Sequence, residues 1–264
     1  MSNYIFQTPE ESKRLKLLDR THGKFSRKIL SKFIEEEMIC HIKTISDIGC
    51  GTGLMLHFLS CFCEKVVAID ADMNRLKIGQ ETNGNKNIEY LCLDITNKQF
   101  FERMSLVKSD FIYIRFLLHH LKNPKKTLRA LLELPTVKHI LVEEVDHSTW
   151  GFDGDIIREV GDEFVSIGFS RSLDYTLGSK LRSLCSSFSS FGFDVSRDEE
   201  TQPVYFGDNA MMPIFLIDSI KKEIIYRHGE EHFIRSRKSI INIINEGKPI
   251  RYPKISHVLL SKKI

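Results

Sequence analysis

The chain has 264 residues, 42% of them hydrophobic and 28% charged, which is ample for one core and suits one domain with an appendage better than two independent domains. A net charge of +3 is mild, and no Lys/Arg stripe with interleaved aromatics marks a groove for RNA or DNA, so nucleic acid is an unlikely partner on charge grounds. No apolar run approaches the length that spans a bilayer, so no membrane partner is expected.

The opening "MSNYIFQTPEESKRLKLLDR" is polar and lacks the apolar centre of a signal peptide. With six scattered cysteines, several inside apolar segments, this fits reduced thiols in a cytoplasmic protein. Cys61 and Cys63 have no second cysteine pair, so no metal site is expected. Residues 4–40 read as helical, with Thr8-Pro9-Glu10-Glu11 resembling a cap followed by proline at the first helical position. Tyr4 and Gln7, ahead of that helix, are candidates for a lid.

Strand-like and helix-like runs then alternate. "KTISDIG" precedes "LMLHFLSCF", "EKVVAID" precedes "DMNRLKIGQE", and "NIEYLCLDI" precedes "KQFFERMSL". "SDFIYIRF" leads to "PKKTLRALLEL", and "KHILVEEVD" follows. The strands, near 44–49, 65–70, 88–92, 109–115 and 139–144, are too apolar for one exposed face. They predict a parallel sheet covered on both sides, a Rossmann-like doubly wound α/β fold. Residues 1–40 are expected as an N-terminal helical lid, 41–146 as the core, and 147–177 and 209–246 as helical cap insertions. Residues 178–208 and 250–264 supply the rest of the sheet, with "FDVSRDEETQPVYF" strand-like and "ISHVLLSKK" as the final strand.

Gly49, Gly51 and Gly53 in "DIGCGTG" follow the first strand and open a helix, where a doubly wound sheet places its ligand. Glycines there let backbone turn tightly and let a ligand come close. A dinucleotide fingerprint would want glycine at Leu54, and Asp47 would repel a pyrophosphate. A zwitterionic ligand carrying an ammonium group and no phosphate suits the loop better, and S-adenosylmethionine has that chemistry.

The motif "DIGCGTG" resembles the first motif of class I S-adenosylmethionine-dependent methyltransferases. Asp70, ending "VVAID", stands where that family accepts the ribose hydroxyls, with Ala71 after it. Asp94, ending "YLCLD", stands where the family holds the adenine amino group, with Ile95 beside the ring. "IRFLLHHLKNPKKTLRALLEL" is similar to the fourth strand and following helix of a bacterial small-molecule methyltransferase group, whose arginine and histidine positions fall on Arg115 and His120. "LVEEVD", "DYTLGSKLRSLCSSFSSFGF" and "YPKISHVLLSKKI" resemble its fifth strand, next helix and antiparallel C-terminal strand, completing a seven-stranded sheet. The resemblance runs from about Tyr4 to the end. "ELPTVKHI" replaces the family's usual proline-glycine turn, and Ala71 is small where a larger residue often packs on adenine.

The resemblance implies cofactor contacts at Asp47, Gly49, Cys50, Gly51, Gly53, Asp70, Ala71, Asp94, Ile95 and Arg115. Glu144, His119 and His120 are the candidates nearest the transferring methyl, because they stand at the ends of the fourth and fifth strands. Of the acidic run Glu143, Glu144 and Asp146, one member is expected to face the substrate. Trp150, the sole tryptophan, is expected to cover core or line an acceptor pocket. The reading is methyl transfer to a small-molecule acceptor by in-line displacement. An RNA or protein acceptor, a cofactor-binding protein without activity, and a nucleotide-dependent oxidoreductase are the alternatives. The acceptor, the attacked atom and the oligomeric state are not specified by the sequence.

Overall fold

A seven-stranded sheet organises the structure, a computed structural model that describes residues 11–152 and 154–263. The candidate lid residues Tyr4 and Gln7, and the cap Thr8 to Glu10, lie outside the described residues. The strands are β1 (Ile42–Ile48), β2 (Cys63–Asp70), β3 (Ile88–Cys92), β4 (Phe111–Arg115), β5 (His139–Asp146), β6 (Phe193–Thr201) and, after a two-residue strand β7 (Val204–Tyr205) and its partner β8 (Ile250–Arg251), β9 (Lys254–Lys262). Their order across the sheet is β3-β2-β1-β4-β5-β9-β6, while β7 and β8 form a separate ribbon. Strands β1 to β5 are mutually parallel where they pair, and β9 lies antiparallel between β5 and β6. The fold is the seven-stranded Rossmann-like one expected.

Helices α1 (Glu11–Leu18) and α2 (Lys24–Glu36) precede the sheet, joined by one turn of π-helix over Asp19–Gly23. Between the strands stand α3 (Leu56–Leu59), α4 (Met73–Thr82), α5 (Lys98–Val107), α6 (Pro124–Leu132), α7 (Ile156–Ser170) and α8 (Leu177–Ser186). After β7 come α9 (Met212–Ser219), α10 (Lys221–His228) and α11 (Glu230–Asn245). Strands β1, β2, β4 and β5 bury both faces over most of their length, which is why they read as apolar runs instead of alternating ones, while β3 at the sheet edge is only partly buried. One cluster, with Phe100, Leu128 and Leu181, packs on one face of the sheet; another, with Phe33, Leu56 and Leu259, packs on the other. A third core, built by Trp150, Phe164, Ile217, Ile240 and Tyr252, lies within the helical cap. The cap is therefore a packed unit with its own hydrophobic stabilisation.

Two departures from the sequence pattern have local causes. The strand expected through "FDVSRDEETQPVYF" stops at Thr201, where Pro203 has no N–H for a ladder, and Val204–Tyr205 pairs instead with Ile250–Arg251. The helical stretch 209–246 divides into three helices, with Gly229 at φ +87 separating the last two.

Close backbone approach seats the cap. A Cβ on Gly178 of α8 would lie 2.6 Å from the carbonyl carbon of Val145 and 2.9 Å from the Glu144 oxygen, so only glycine lets that helix rest on β5. On α7, a Cβ on Gly161 would come 2.8 Å from Cβ of Trp150 and 3.0 Å from the His147 oxygen. Both contacts fix the segment that leaves β5 and turns over the strand ends.

Candidate active site

The loop after β1 is folded back on β2. Gly49 and Cys50 donate their N–H groups to the Ile69 carbonyl at 2.8 and 3.0 Å, and Gly49, Gly51 and Gly53 have φ of +78, +57 and +76. Those angles belong to the left-handed region that side chains disfavour. The Asp70 carboxylate accepts the Gly51 N–H at 2.9 Å on one oxygen and the Asp72 N–H at 2.9 Å on the other. It is thus fixed in rotamer while keeping lone pairs for a ligand. Burial raises its pKa. Asp47, only 3% exposed, has its pKa pushed up to about 7 by burial, against the pull of Arg115.

Asp94 holds the turn after β3, accepting the Thr96 N–H at 2.8 Å and the Thr96 hydroxyl at 2.7 Å on the same oxygen. Ile95 beside it is buried. Asp47, Gly49, Cys50, Gly51, Asp70, Ala71, Asp94, Ile95 and Arg115 all line one cavity of about 1770 Å³. Gly53 stands behind that wall, where a Cβ would lie 2.7 Å from Leu56 Cδ1; its place is the turn itself.

The same cavity continues past Arg115 and Phe116 to Trp150, to Met212 and Leu216 of α9, and to Pro253 and Ile255. Phe116 leaves β4 with φ +54, a strained value for an aromatic residue, and its N–H donates to the Glu143 carbonyl at 2.9 Å. Arg115 places Nη1 3.3 Å from Asp19 Oδ1, and Asp19 also receives Arg27 at 2.8 Å. These ion pairs pin the π-turn over the strand ends. Arg115 therefore reaches the cavity wall already held by the π-turn, which is tied in turn to α2.

His119 and His120 both line the cavity, as does His147, but Glu144 does not. Glu144 is fully buried behind His119: its Oε1 accepts the Leu118 N–H at 2.5 Å and its Oε2 faces His119 Nδ1 at 2.5 Å. Of the acidic run, none reaches the cavity. Glu143 points to the opposite side, accepting Ser26 Oγ–H at 2.6 Å and Tyr113 O–H at 2.8 Å, with His257 Nδ1 3.5 Å away. Asp146 caps the next turn, accepting the Ser148 N–H at 2.9 Å and its hydroxyl at 2.6 Å, and receives Ser179 as well. The expectation that one member faces the substrate is corrected: alternation turns Glu143 to the other face, the Leu118 N–H and His119 hold Glu144 behind the wall, and capping engages Asp146.

Trp150 covers core, and it also reaches the cavity. It is 2% exposed, lines the cavity, and donates its indole N–H to His147 Nδ1 at 2.9 Å. Among the lining residues that escaped the sequence reading are two histidines. His147 follows directly on β5, a position that strand-end logic could have flagged. His22, buried with Nδ1 unpartnered, reaches the wall from the π-turn, and no spacing rule in "DRTHGKFS" signals that turn. Burial holds the His22 pKa at about 3, with Arg115 and His257 adding to the effect. Burial likewise lowers His120 and His147, each with a further push from His119.

Among the described residues, no group of three His, Cys, Asp or Glu side chains is placed to hold a metal ion. Nor, among them, is any helix long and apolar enough to cross a membrane.

A parallel core is closed by an antiparallel strand between β5 and β6, with a glycine loop and two acidic strand ends on one cavity. Residues 46–134, from β1 to the end of α6, match a family model described as "Methyltransferase domain". The chain is 25% identical over 150 residues to the protein named "Putative methyltransferase 235L" of Invertebrate iridescent virus 6, covering 54% of this chain and 53% of that one. It thus spans about half the length of that relative. Among solved structures, BH2331 from Bacillus halodurans C-125, described as a putative methyltransferase, superposes with a TM-score of 0.56 at 15% identity, over 89% of this chain and all of that one. The plantazolicin methyltransferase BpumL in complex with SAH superposes with a TM-score of 0.54 at 16% identity, over all of this chain and 94% of that one. Both likenesses are of fold.

Proposed function

We propose that this protein transfers the methyl group of S-adenosylmethionine to a small-molecule acceptor enclosed under the helical cap. The observation that carries the reading is the continuity of the cavity: one end has the glycine loop with Asp47, Asp70 and Asp94, the other is roofed by Trp150, Met212 and Leu216. Asp70 takes the ribose hydroxyls with lone pairs that Gly51 and Asp72 leave open, and Asp94 takes the adenine amino group beside Ile95. Asp47 faces the ammonium of the amino acid end, directly or through water. The matched methyltransferase domain and a neighbour of the same fold in complex with SAH support this cofactor.

The sulfonium of the bound cofactor makes its methyl electrophilic; the chain's own residues align the acceptor and exclude water. His119 is the base for an acceptor that must lose a proton. Its Nδ1 is committed to Glu144, so Nε2 is the nitrogen left to take that proton, and the buried carboxylate stabilises the imidazolium that forms. Glu144 acts through His119 as a positioning residue. A roof with its own core suits a small acceptor better than a polymer, which would need an open groove.

Calorimetry with S-adenosylmethionine and with a nicotinamide dinucleotide tests the cofactor assignment: only the first is expected to bind. Incubation of metabolite, RNA and protein fractions with methyl-labelled cofactor then tests the acceptor. Label entering small molecules supports the reading; label confined to RNA or protein overturns it.

A further inference from the structure

Two histidines in the cavity wall carry opposite, fixed hydrogen-bonding polarity. The Trp150 indole can only donate, so His147 Nδ1 must accept from it at 2.9 Å, and the proton of the neutral ring sits on Nε2. Burial is the main cause keeping that ring uncharged, so His147 Nε2–H is a standing donor. At His119 the arrangement is reversed. Its Nδ1–H is held by the Glu144 carboxylate at 2.5 Å, so in the neutral ring Nε2 is the nitrogen that carries the lone pair. Both rings line the cavity. The two ring centroids are 5.9 Å apart, close enough for one acceptor molecule to touch both.

Resting on the methyl-transfer reading above, we propose that the acceptor is a cyclic amide or its hydroxy-heteroarene tautomer, with its N–H or O–H on His119 Nε2 and the adjacent acceptor atom on His147 Nε2–H. Such a group presents donor and acceptor on neighbouring atoms, on the same side, and too poorly aligned to bond each other. An open-chain trans amide points them in opposite directions and satisfies only one histidine. Trp150, Phe116 and Met212 along the wall give a flat ring apolar surface to lie against. A ligand lacking either group leaves one imidazole nitrogen dry and unpaired, which is the kind of mismatch that discriminates most sharply.

The step balances without a further reagent. His119 Nε2 takes the proton, and the electron pair of the ambident anion forms the bond to the methyl carbon from nitrogen or oxygen. The carbon–sulfur bond breaks with its electrons going to sulfur, which loses its positive charge. Trp150 has the role of a positioning residue, because its indole N–H sets the tautomer of His147.

The experiment uses the protein saturated with S-adenosylhomocysteine and three probes: 2-quinolone, N-methyl-2-quinolone and 4-quinolone. The first carries N–H beside C=O, the second lacks the N–H, and the third separates the two groups. Calorimetry is expected to show 2-quinolone binding about tenfold more tightly than either of the others. His147→Phe should erase that preference and leave the affinity for S-adenosylhomocysteine unchanged. Trp150→Phe should reduce it, and nitrogen-15 spectra should show the His147 proton redistributing between its two nitrogens. In the native protein the same spectra should place that proton on Nε2, a readout independent of whether any variant folds. Equal binding of the three probes, binding of none, or a native His147 protonated on Nδ1 overturns the proposal. Failure of S-adenosylhomocysteine itself to bind would instead overturn the cofactor reading on which it rests.

Discussion

Glu143 and Glu144 are neighbours on β5, yet their carboxylates lie on opposite faces of the sheet. Glu143 meets Ser26, Tyr113 and His257, while Glu144 meets the Leu118 N–H and His119. The period-two alternation of a strand thus places two neighbouring buried carboxylates in two separate hydrogen-bond networks.

Glu143→Gln should destabilise the fold by about 3 kcal/mol, the range found when one partner of a buried charged network is removed. Burial disfavours the Glu143 charge, but His257, Arg115 and the Ser26 hydroxyl outweigh it and hold the pKa at about 2, below its ordinary 4.5. A folded-state pKa depressed in this way contributes stability that is complete above 4.5 and is lost as pH falls through about 2. Denaturant melts across that window should show the acid loss in the native protein and a flatter profile in Glu143→Gln.

Glu144→Gln and His119→Ala should each lower turnover by roughly 100-fold for an acceptor that must be deprotonated, while leaving cofactor affinity unchanged. Gln at this position can still accept the Nδ1–H but brings no charge to stabilise the imidazolium. The measurement is kcat and KM over a pH range, beside calorimetry with S-adenosylhomocysteine. A full-rate Glu144→Gln would remove Glu144 from the mechanism.

Cofactor binding should be linked to the proton on Asp47. Burial raises its pKa to about 7, so part of the free protein carries a neutral Asp47 near neutrality. An ammonium favours the ionised form, and affinity should therefore fall by up to about tenfold per pH unit below that value. Calorimetry in buffers of different ionisation heat should detect proton release on binding at pH near 7, and none well above it. Asp47→Asn should abolish both the release and the slope.

Asp70→Ala should weaken cofactor binding by more than an order of magnitude, since a charged acceptor facing two hydroxyls contributes about 1.5–3 kcal/mol. It also frees the Gly51 and Asp72 N–H groups, so the loop itself loosens. Gly51→Val should bind still more weakly, because φ +57 is strained for any branched residue. A normal affinity in either folded variant would place the cofactor elsewhere.

Hydrophobic pattern located the strands to within a few residues because both faces of β1, β2, β4 and β5 are largely buried, which gives short apolar runs between helical segments. The glycine loop was legible for a different reason: positive φ at three alternate positions leaves glycine as the residue that fits. The deeper wall was less so. His22 is delivered by a single π-turn, Asp19–Gly23, whose register no local pattern encodes. Glu144 was expected beside the methyl group, but strand-end position does not say on which side of His119 a carboxylate lies. That order depends on the Leu118 N–H, which captures Oε1 from the turn after the neighbouring strand β4.

The place of β9 has a consequence for how the chain acquires its fold. β5 ends at Asp146, and the strand that pairs with it along its whole length, from His139 opposite Ser261 to Asp146 opposite Lys254, comes only after the entire cap has been made. During synthesis the edge of β5 therefore waits unpaired, and Glu143 waits without His257, until the last strand arrives. Such a distant pairing makes closure of the sheet late and slow, and a nascent chain stalled within the cap would expose a bare strand edge to any neighbouring chain.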